Sequence, residues 1–113
     1  MQPLKKRAEE LQRATTTAFD QLQIAAKTNE LAQIDAQLAD SDVWNNLERA
    51  QQLSKQAAAL RAQTEPWLTL QTQAKDIVEL MTIGDESMVR EFEEQMVALE
   101  HELAARKKDL LFQ

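Results

Sequence analysis

Few side chains in this sequence have the chemistry that catalysis or metal binding requires. His101 is the sole histidine, cysteine is absent, and Gly84 is the sole glycine. One histidine with no cysteine or second histidine nearby favours neither a metal centre nor a nucleophile and its base, and one glycine cannot build a phosphate-binding loop. We therefore expect an exposed His101, no catalytic residue, no metal site and no cofactor.

Carboxylates near the end of the chain are the other candidates for chemistry. Paired glutamates can act as acid and base, or bridge metal ions in a helical bundle. The Glu-x-x-His motifs of such metal bundles are lacking, and glutamates on an amphipathic helix usually form its solvated face. A metal-dependent enzyme is the weakest interpretation, and we predict a solvated face for Glu91, Glu93, Glu94, Glu100 and Glu102.

Basic residues form two short clusters near opposite ends of the sequence. The formal net charge is −6, whereas nucleic-acid-binding domains are usually basic overall, so we expect no DNA binding. A local contact with a phosphate backbone is still open, although a solvated surface is the simpler interpretation. Antiparallel helix packing could bring the clusters near each other. The clusters are Lys5, Lys6 and Arg7, and Arg106, Lys107 and Lys108.

The elements that position these residues are predicted to be helices. The chain has 113 residues, one glycine and two prolines, which indicates one small all-α domain over residues 1–113. No apolar run approaches the roughly 20 residues of a membrane span, and the start of the chain is charged instead of apolar. Together with the lack of cysteine, these features predict a cytoplasmic protein without membrane contact.

The first part of the chain predicts two helices. Apolar residues spaced by three and four from Leu4 to Leu22 give the first amphipathic helix, with Pro3 at its start. We expect a bend or break between Thr15 and Asn29, because β-branched and polar residues there have lower helix propensity. A short second helix carries Leu31, Ile34 and Leu38 and should end near residues 40–42.

A turn after the second helix is specified by its own residues. Asn45 is predicted to cap the next helix, with Glu48 reaching back to it in a capping box. Trp44, just before the cap, is interpreted as an apolar plug at the end of the helix interface. A binding anchor is the alternative role for Trp44.

The second half predicts a hairpin of two helices. A seam with three-four spacing runs from Ala50 to Met81 and favours one long helix of about 55 Å. Pro66 predicts a kink near residues 62–66, with two shorter helices as the alternative. Gly84 is expected to end this helix in a left-handed conformation, and Asp85 to cap an antiparallel last helix. The whole is predicted to be an elongated antiparallel helical bundle, or coiled-coil hairpin, of three to four helices.

Residues from about Asn29 onward carry a resemblance to a known family. The chain resembles the N-terminal domain of the bacterial peptide chain release factor 2 family, within the class I release factors. The turn and the helix start after it are the distinctive part of the resemblance. Those signature residues are Asp42, Val43, Trp44, Asn45, Glu48, Arg49, Ala50 and Gln51, followed by Ser54, Lys55 and the Glu65-Pro66-Trp67 step.

The resemblance implies a role in translation termination at UGA and UAA stop codons, with the ribosome as partner. In the family this domain projects toward the stalk base of the large subunit and influences interplay with a recycling GTPase. The family's Ser-Pro-Phe and Gly-Gly-Gln motifs do not occur here, so the resemblance implies a non-catalytic N-terminal domain. The two basic clusters are the candidate ribosome contacts. A free-standing helical scaffold or coiled-coil dimerisation module is the competing hypothesis.

Overall fold

The computed structural model describes residues 2–111 and the side chains of residues 2–109. Four α-helices fill almost all of this part, and the described residues contain no strand. The all-α prediction is therefore confirmed. The helices are α1 (Gln2–Gln21), α2 (Ile24–Ala39), α3 (Leu47–Ile83) and α4 (Val89–Leu111), with short 3₁₀ turns at Ser41–Asn45 and Glu86–Met88.

The long helix α3 organises the fold, because it packs against each of the other three helices. Over the described residues, α2 makes no contact with α4. The molecule therefore has two parts: a two-helix arm, made of α2 and the N-terminal half of α3, and a three-helix body, made of α1, the C-terminal half of α3 and α4. Its extents of 60 × 29 × 19 Å confirm the predicted elongated shape.

The body contains the main core. The stripes predicted for the first and last helices, and the part of the α3 stripe that follows the arm, are buried or half-buried there, although the predicted Leu110 lies outside the described side chains. Leu70 and Ile77 are also fully buried, although the predicted seam omits them. A seam with three-four spacing covers the contact with one partner helix. This half of α3 has α1 on one side and α4 on the other, so a larger part of its circumference is buried.

The arm has a thinner core of its own. Ile34 of α2 and the small side chains of Ala50 and Ala57 of α3 are buried there, outside the main cluster. Arg61 and Asp35 form an ion pair across the arm, with 3.0 Å between nitrogen and oxygen. Two helices bury only one face each, so the arm exposes most of its surface.

The break between the first two helices occurs at Gln23, which has a left-handed backbone with φ of 55°. The position lies inside the predicted interval, but the threonines do not cause it. Thr15 is buried within α1, and its hydroxyl donates to the Leu11 carbonyl oxygen at 2.8 Å. Helix α2 begins at Ile24, and is therefore longer than the short helix that was predicted.

Helix α3 continues through Pro66 as one helix. The one-helix prediction is confirmed, and the alternative of two shorter helices is wrong. Proline leaves the preceding turn without one backbone donor, and α3 is nevertheless continuous across it. The kink near residues 62–66 stays a prediction.

Gly84 does not have the left-handed conformation that was predicted, since its φ is −81° and its ψ is 170°. Its lack of a side chain matters for a different reason. A Cβ atom there would lie 2.9 Å from the Leu80 carbonyl oxygen and 2.9 Å from a ring carbon of Phe92. Glycine thus permits the close approach of α3 and α4. Asp85 caps the 3₁₀ turn Glu86–Met88 instead of α4 itself, because its carboxylate accepts the Ser87 N–H at 3.0 Å.

Candidate functional site

The signature turn lies at the far end of the arm, where local hydrogen bonds shape it. The Asp40 carboxylate accepts the Asp42 N–H at 3.0 Å, and the Asp40 carbonyl accepts the Val43 N–H at 3.2 Å. The turn closes with a bond of 3.1 Å from the Asn46 N–H to the Val43 carbonyl. These bonds display the side chains of the turn at one end of the molecule.

Trp44 does not plug the helix interface as predicted, because 51% of its surface is exposed. Its indole N–H donates instead to the Leu38 carbonyl oxygen at 2.8 Å. The physical reason is the architecture of the arm: among the described helices only α2 and α3 contact this turn, so there is no closed interface to fill. Leu47 follows the turn and is 60% exposed, and the sequence interpretation did not single it out.

The cap of α3 is Asn46 and not the predicted Asn45. The Asn46 side-chain oxygen accepts the Arg49 N–H at 3.2 Å, and Asn46 has an extended backbone typical of a cap. Asn45 belongs to the 3₁₀ turn, which uses one residue more than the predicted turn. Glu48 is then the second residue of the helix instead of the third, so the capping-box geometry does not arise.

The other signature residues divide between packing and surface. Ala50 is completely buried between the arm helices, and a larger side chain would separate them. Asp42 and three residues of the helix start are exposed, while Val43 is half-buried. The exposed residues of the helix start are Glu48, Arg49 and Gln51.

The first basic cluster is partly engaged with α4. The Arg7 guanidinium holds the Glu100 carboxylate through two hydrogen bonds, one of them 3.1 Å from Nε to Oε2. This hydrogen bond and the positive charge of Arg7 lower the pKa of Glu100, and the same bond raises the pKa of Arg7. Lys6 is exposed and Lys5 half-buried.

The second basic cluster has the same mixed character. Arg106 forms ion pairs with Glu102 and Asp109, at 3.1 Å each. Lys107 and Lys108 are exposed. Each cluster therefore combines one arginine held by carboxylates with exposed lysines.

The predicted antiparallel packing of the helices that carry the two clusters is wrong, because α1 and α4 are parallel, and only Arg7 and Lys107 line a common cavity. Along α1, Leu4 lies beside Val89 of α4, and Leu11 lies farther on beside Leu103. Both helices run antiparallel to α3 and hence parallel to each other. Arg7 and Lys107 line one shallow cavity of about 320 Å³, together with Glu10 and Glu100.

The candidates for chemistry lie on the surface. The predicted exposure of His101, Glu91, Glu93 and Glu94 is confirmed. Glu100 and Glu102 are half-buried and paired with Arg7 and Arg106. Within residues 2–109, no acidic, histidine or cysteine side chains form a group of three or more that could hold a metal ion. None of the described helices is apolar enough over its length to span a membrane.

The structure defines an elongated all-α domain whose distinctive residues lie on its surface and at one exposed turn. The chain belongs to the family of PCRF domains, whose model matches residues 27–112. The match includes most of α2, the signature turn, α3 and α4. The first basic cluster lies outside it.

Individual relatives agree with this family. Peptide chain release factor 2 of Aliivibrio fischeri is 32% identical over 106 residues, which are 90% of this chain and 29% of the relative. The factor of the same name from Thermomicrobium roseum is 30% identical over 109 residues, 96% of this chain and 29% of the relative. That of Pseudoalteromonas translucida is 31% identical over 107 residues, 91% of this chain and 29% of the relative. The chain thus spans under a third of the relatives' length.

Proposed function

We propose that this chain acts in the cytoplasm as the N-terminal, ribosome-contacting domain of a factor that directs release at UGA and UAA stop codons. The observation that carries the proposal is the similarity to peptide chain release factor 2 over nearly the whole chain, at 30% to 32% identity. The PCRF match over residues 27–112 agrees with it.

The domain contributes contacts and not chemistry in this proposal. Its sole histidine is exposed and its paired glutamates are engaged with arginines. Peptide release would then depend on the part of the relatives that this chain does not span. The elongated shape suits a projection that reaches a partner better than it suits a substrate pocket.

The basic clusters are the proposed contact with the ribosome, at the stalk base of the large subunit. Exposed lysines bind RNA phosphates by releasing counterions, even from a domain with negative net charge. Lys6, Lys107 and Lys108 are exposed on α1 and α4, while Arg7 and Arg106 are held in place by Glu100 and Glu102. Through this contact, the domain would influence a release-associated GTPase.

The main test joins this chain to the downstream part of the Aliivibrio fischeri relative. The purified chimera and the purified downstream part without this chain are compared for their affinity for ribosomes stopped at UGA, UAA and UAG. We expect the chimera to bind more tightly and to release peptide at UGA and UAA but not at UAG. Equal binding by the two proteins would contradict the ribosome-contacting role.

A second test locates the contact. Lys107→Glu and Lys108→Glu, introduced together into the chimera, should weaken ribosome binding and lower its salt dependence by about one unit of log-log slope for each phosphate that is no longer neutralised. Arg90→Glu is the matched control, because Arg90 has a 93% exposed side chain near the other end of α4. Equal weakening in the variant and the control would exclude a specific contact at the second cluster.

The alternative of a helical scaffold or coiled-coil dimer has less support. The seam of α3, which motivated it, is buried against α1, α2 and α4 of the same chain. Sedimentation equilibrium separates the two hypotheses. A monomer at all concentrations supports the release factor domain, and a tight dimer supports the scaffold.

A further inference from the structure

A groove runs between α3 and α4 on the side of the body away from α1. It encloses about 590 Å³, and its floor is formed by Leu70, Ile77 and Leu99, which also belong to the core. Two helices form its walls, and no described helix covers it. The wall residues are Pro66, Thr69, Gln73, Asp76 and Leu80 of α3 and Gln95, Ala98 and Glu102 of α4.

At the end of the groove near the loop before α4, two apolar side chains of α3 are exposed. Leu80 lines the groove and is 43% exposed, and Ile83, one turn farther along α3, is 82% exposed. Residues three apart lie on the same side of a helix, so Ile83 extends the apolar wall that Leu80 begins. Leu80 and Ile83 together form an exposed apolar pair at this end of the groove.

The dimensions fit a helix. From Pro66 to Leu80 the wall of α3 is about 21 Å long, at 1.5 Å per residue. A helix of about 14 residues has the same length, and amphipathic helices commonly bind grooves between two helices through side chains spaced by three and four.

The charge of the groove selects among such helices. Asp76 lies on one wall and Glu102 on the other, and the described lining residues include no lysine or arginine. Glu102 is paired with Arg106, which leaves Asp76 as the stronger source of negative potential. A helix whose apolar stripe is flanked by lysine or arginine would match these walls.

A second copy of this chain has no suitable helix to offer. The apolar stripes of its described helices are buried in its own body and arm. The exposed large apolar residues outside the groove side are Trp44 and Leu47 at the turn, and Val97 alone on α4. The described helices of a second copy are therefore not the occupant.

We propose that the α3/α4 groove binds an amphipathic helix of another protein, with an apolar stripe flanked by basic residues. This partner site lies on the opposite side of α4 from the shallow cavity shared by Arg7 and Lys107. The two sites are linked at one point, because Glu102 lines the groove and pairs with Arg106 of the second basic cluster.

The test uses two designed peptides of about 14 residues, labelled with a fluorophore and measured by anisotropy. One carries leucines at three-four spacing with lysines on the flanks, and the other has glutamates in place of the lysines. We expect the lysine peptide to bind the full chain and the glutamate peptide to bind at least about tenfold more weakly.

Two matched variants locate the binding. Ala98→Arg fills the groove and adds a positive charge, and should weaken lysine-peptide binding by at least about tenfold. Val97→Arg adds the same residue at the neighbouring position outside the groove and should change binding by less than about twofold. Both residues are exposed, so circular dichroism should show folded variants.

Three outcomes would overturn the proposal. The first is an equal loss of binding in the two variants, which would indicate general attraction of a basic peptide to an acidic chain. The second is equal binding of the two peptides. The third is a dimer in sedimentation equilibrium that Ala98→Arg dissociates, because the groove would then serve self-association.

Discussion

The indole nitrogen of Trp44 lies 2.8 Å from the carbonyl oxygen of Leu38, and the indole N–H donates a hydrogen bond to it. Leu38 is in the last turn of α2, where carbonyl groups have no partner within the helix. The indole N–H of Trp44 thus gives a hydrogen-bond partner to a carbonyl group at the end of α2. About half of the tryptophan surface stays in solvent.

Trp44→Phe should cost about 1 kcal/mol of unfolding free energy, because it removes this single hydrogen bond and keeps most of the ring. Urea denaturation measures the change. Trp44→Ala should cost little more, since so much of the side chain is already exposed. A loss of about 3 to 5 kcal/mol for Trp44→Ala would instead indicate the buried plug that the sequence predicts.

Thr64→Val should stabilise the fold by about 1 kcal/mol, because the Thr64 hydroxyl is completely buried and has no hydrogen-bond partner. Valine keeps the shape and removes the unsatisfied oxygen. Thr15→Val is the matched control, since Thr15 is equally buried but its hydroxyl donates to Leu11 at 2.8 Å. The midpoint of thermal unfolding is measured for both variants. A stabilisation of the same size at both positions would contradict the role assigned to the unsatisfied Thr64 hydroxyl.

Gly84→Ala should cost about 1 to 3 kcal/mol, because the added methyl group contacts the Leu80 carbonyl and the Phe92 ring at 2.9 Å. The backbone at Gly84 is accessible to every residue type, so the cost is entirely one of space. Gly84→Ala combined with Phe92→Leu should lose less than the sum of the two single changes. Additive losses in urea denaturation would show that the ring is not what the methyl group meets.

The Arg7 and Glu100 pair should make stability depend on pH. Arg7 lowers the pKa of Glu100 below its ordinary value of 4.5, so the folded state binds that proton less readily than the unfolded state. The contribution of the pair is therefore present at neutral pH and is lost as the pH falls through the lowered pKa. It should also weaken at high salt, since both side chains are partly exposed.

A double-mutant cycle of Arg7→Gln and Glu100→Gln measures this coupling at neutral pH and below the pKa of Glu100. We expect a favourable coupling that disappears in acid. The same cycle on Arg90 and Glu94 is the control, because these side chains are 93% and 73% exposed and 3.9 Å apart, and should couple weakly. A coupling in the test pair that persists in acid would exclude the carboxylate as its source.

Helix content and the antiparallel hairpin could be predicted because they follow from local information. The stripe from Val89 to Leu103 specifies one face, and a short loop after Ile83 leaves only an antiparallel return. The burial of Leu70 and Ile77 was not predictable in this way, because it depends on a second helix packing against α3. Periodicity indicates that a face is buried, but not how many partners share it.

The two errors at the candidate site have different physical causes. A tryptophan next to a helix cap is usually covered, and Trp44 is not, because among the described elements its turn contacts only α2 and α3. The sequence could not indicate where along α3 the third helix would end its contacts. The cap moved from Asn45 to Asn46 because both residues can accept the hydrogen bond, and the 3₁₀ turn determines which one does.

The uninterrupted α3 also has a mechanical consequence. One helix of about 55 Å belongs to both the arm and the body, and no loop divides it. If α3 stays straight at Pro66, a rotation imposed where α1 and α4 pack on it moves the Trp44 turn by a distance that grows with the separation between the turn and the body. A small motion at the body would then appear as a larger displacement of the Trp44 turn.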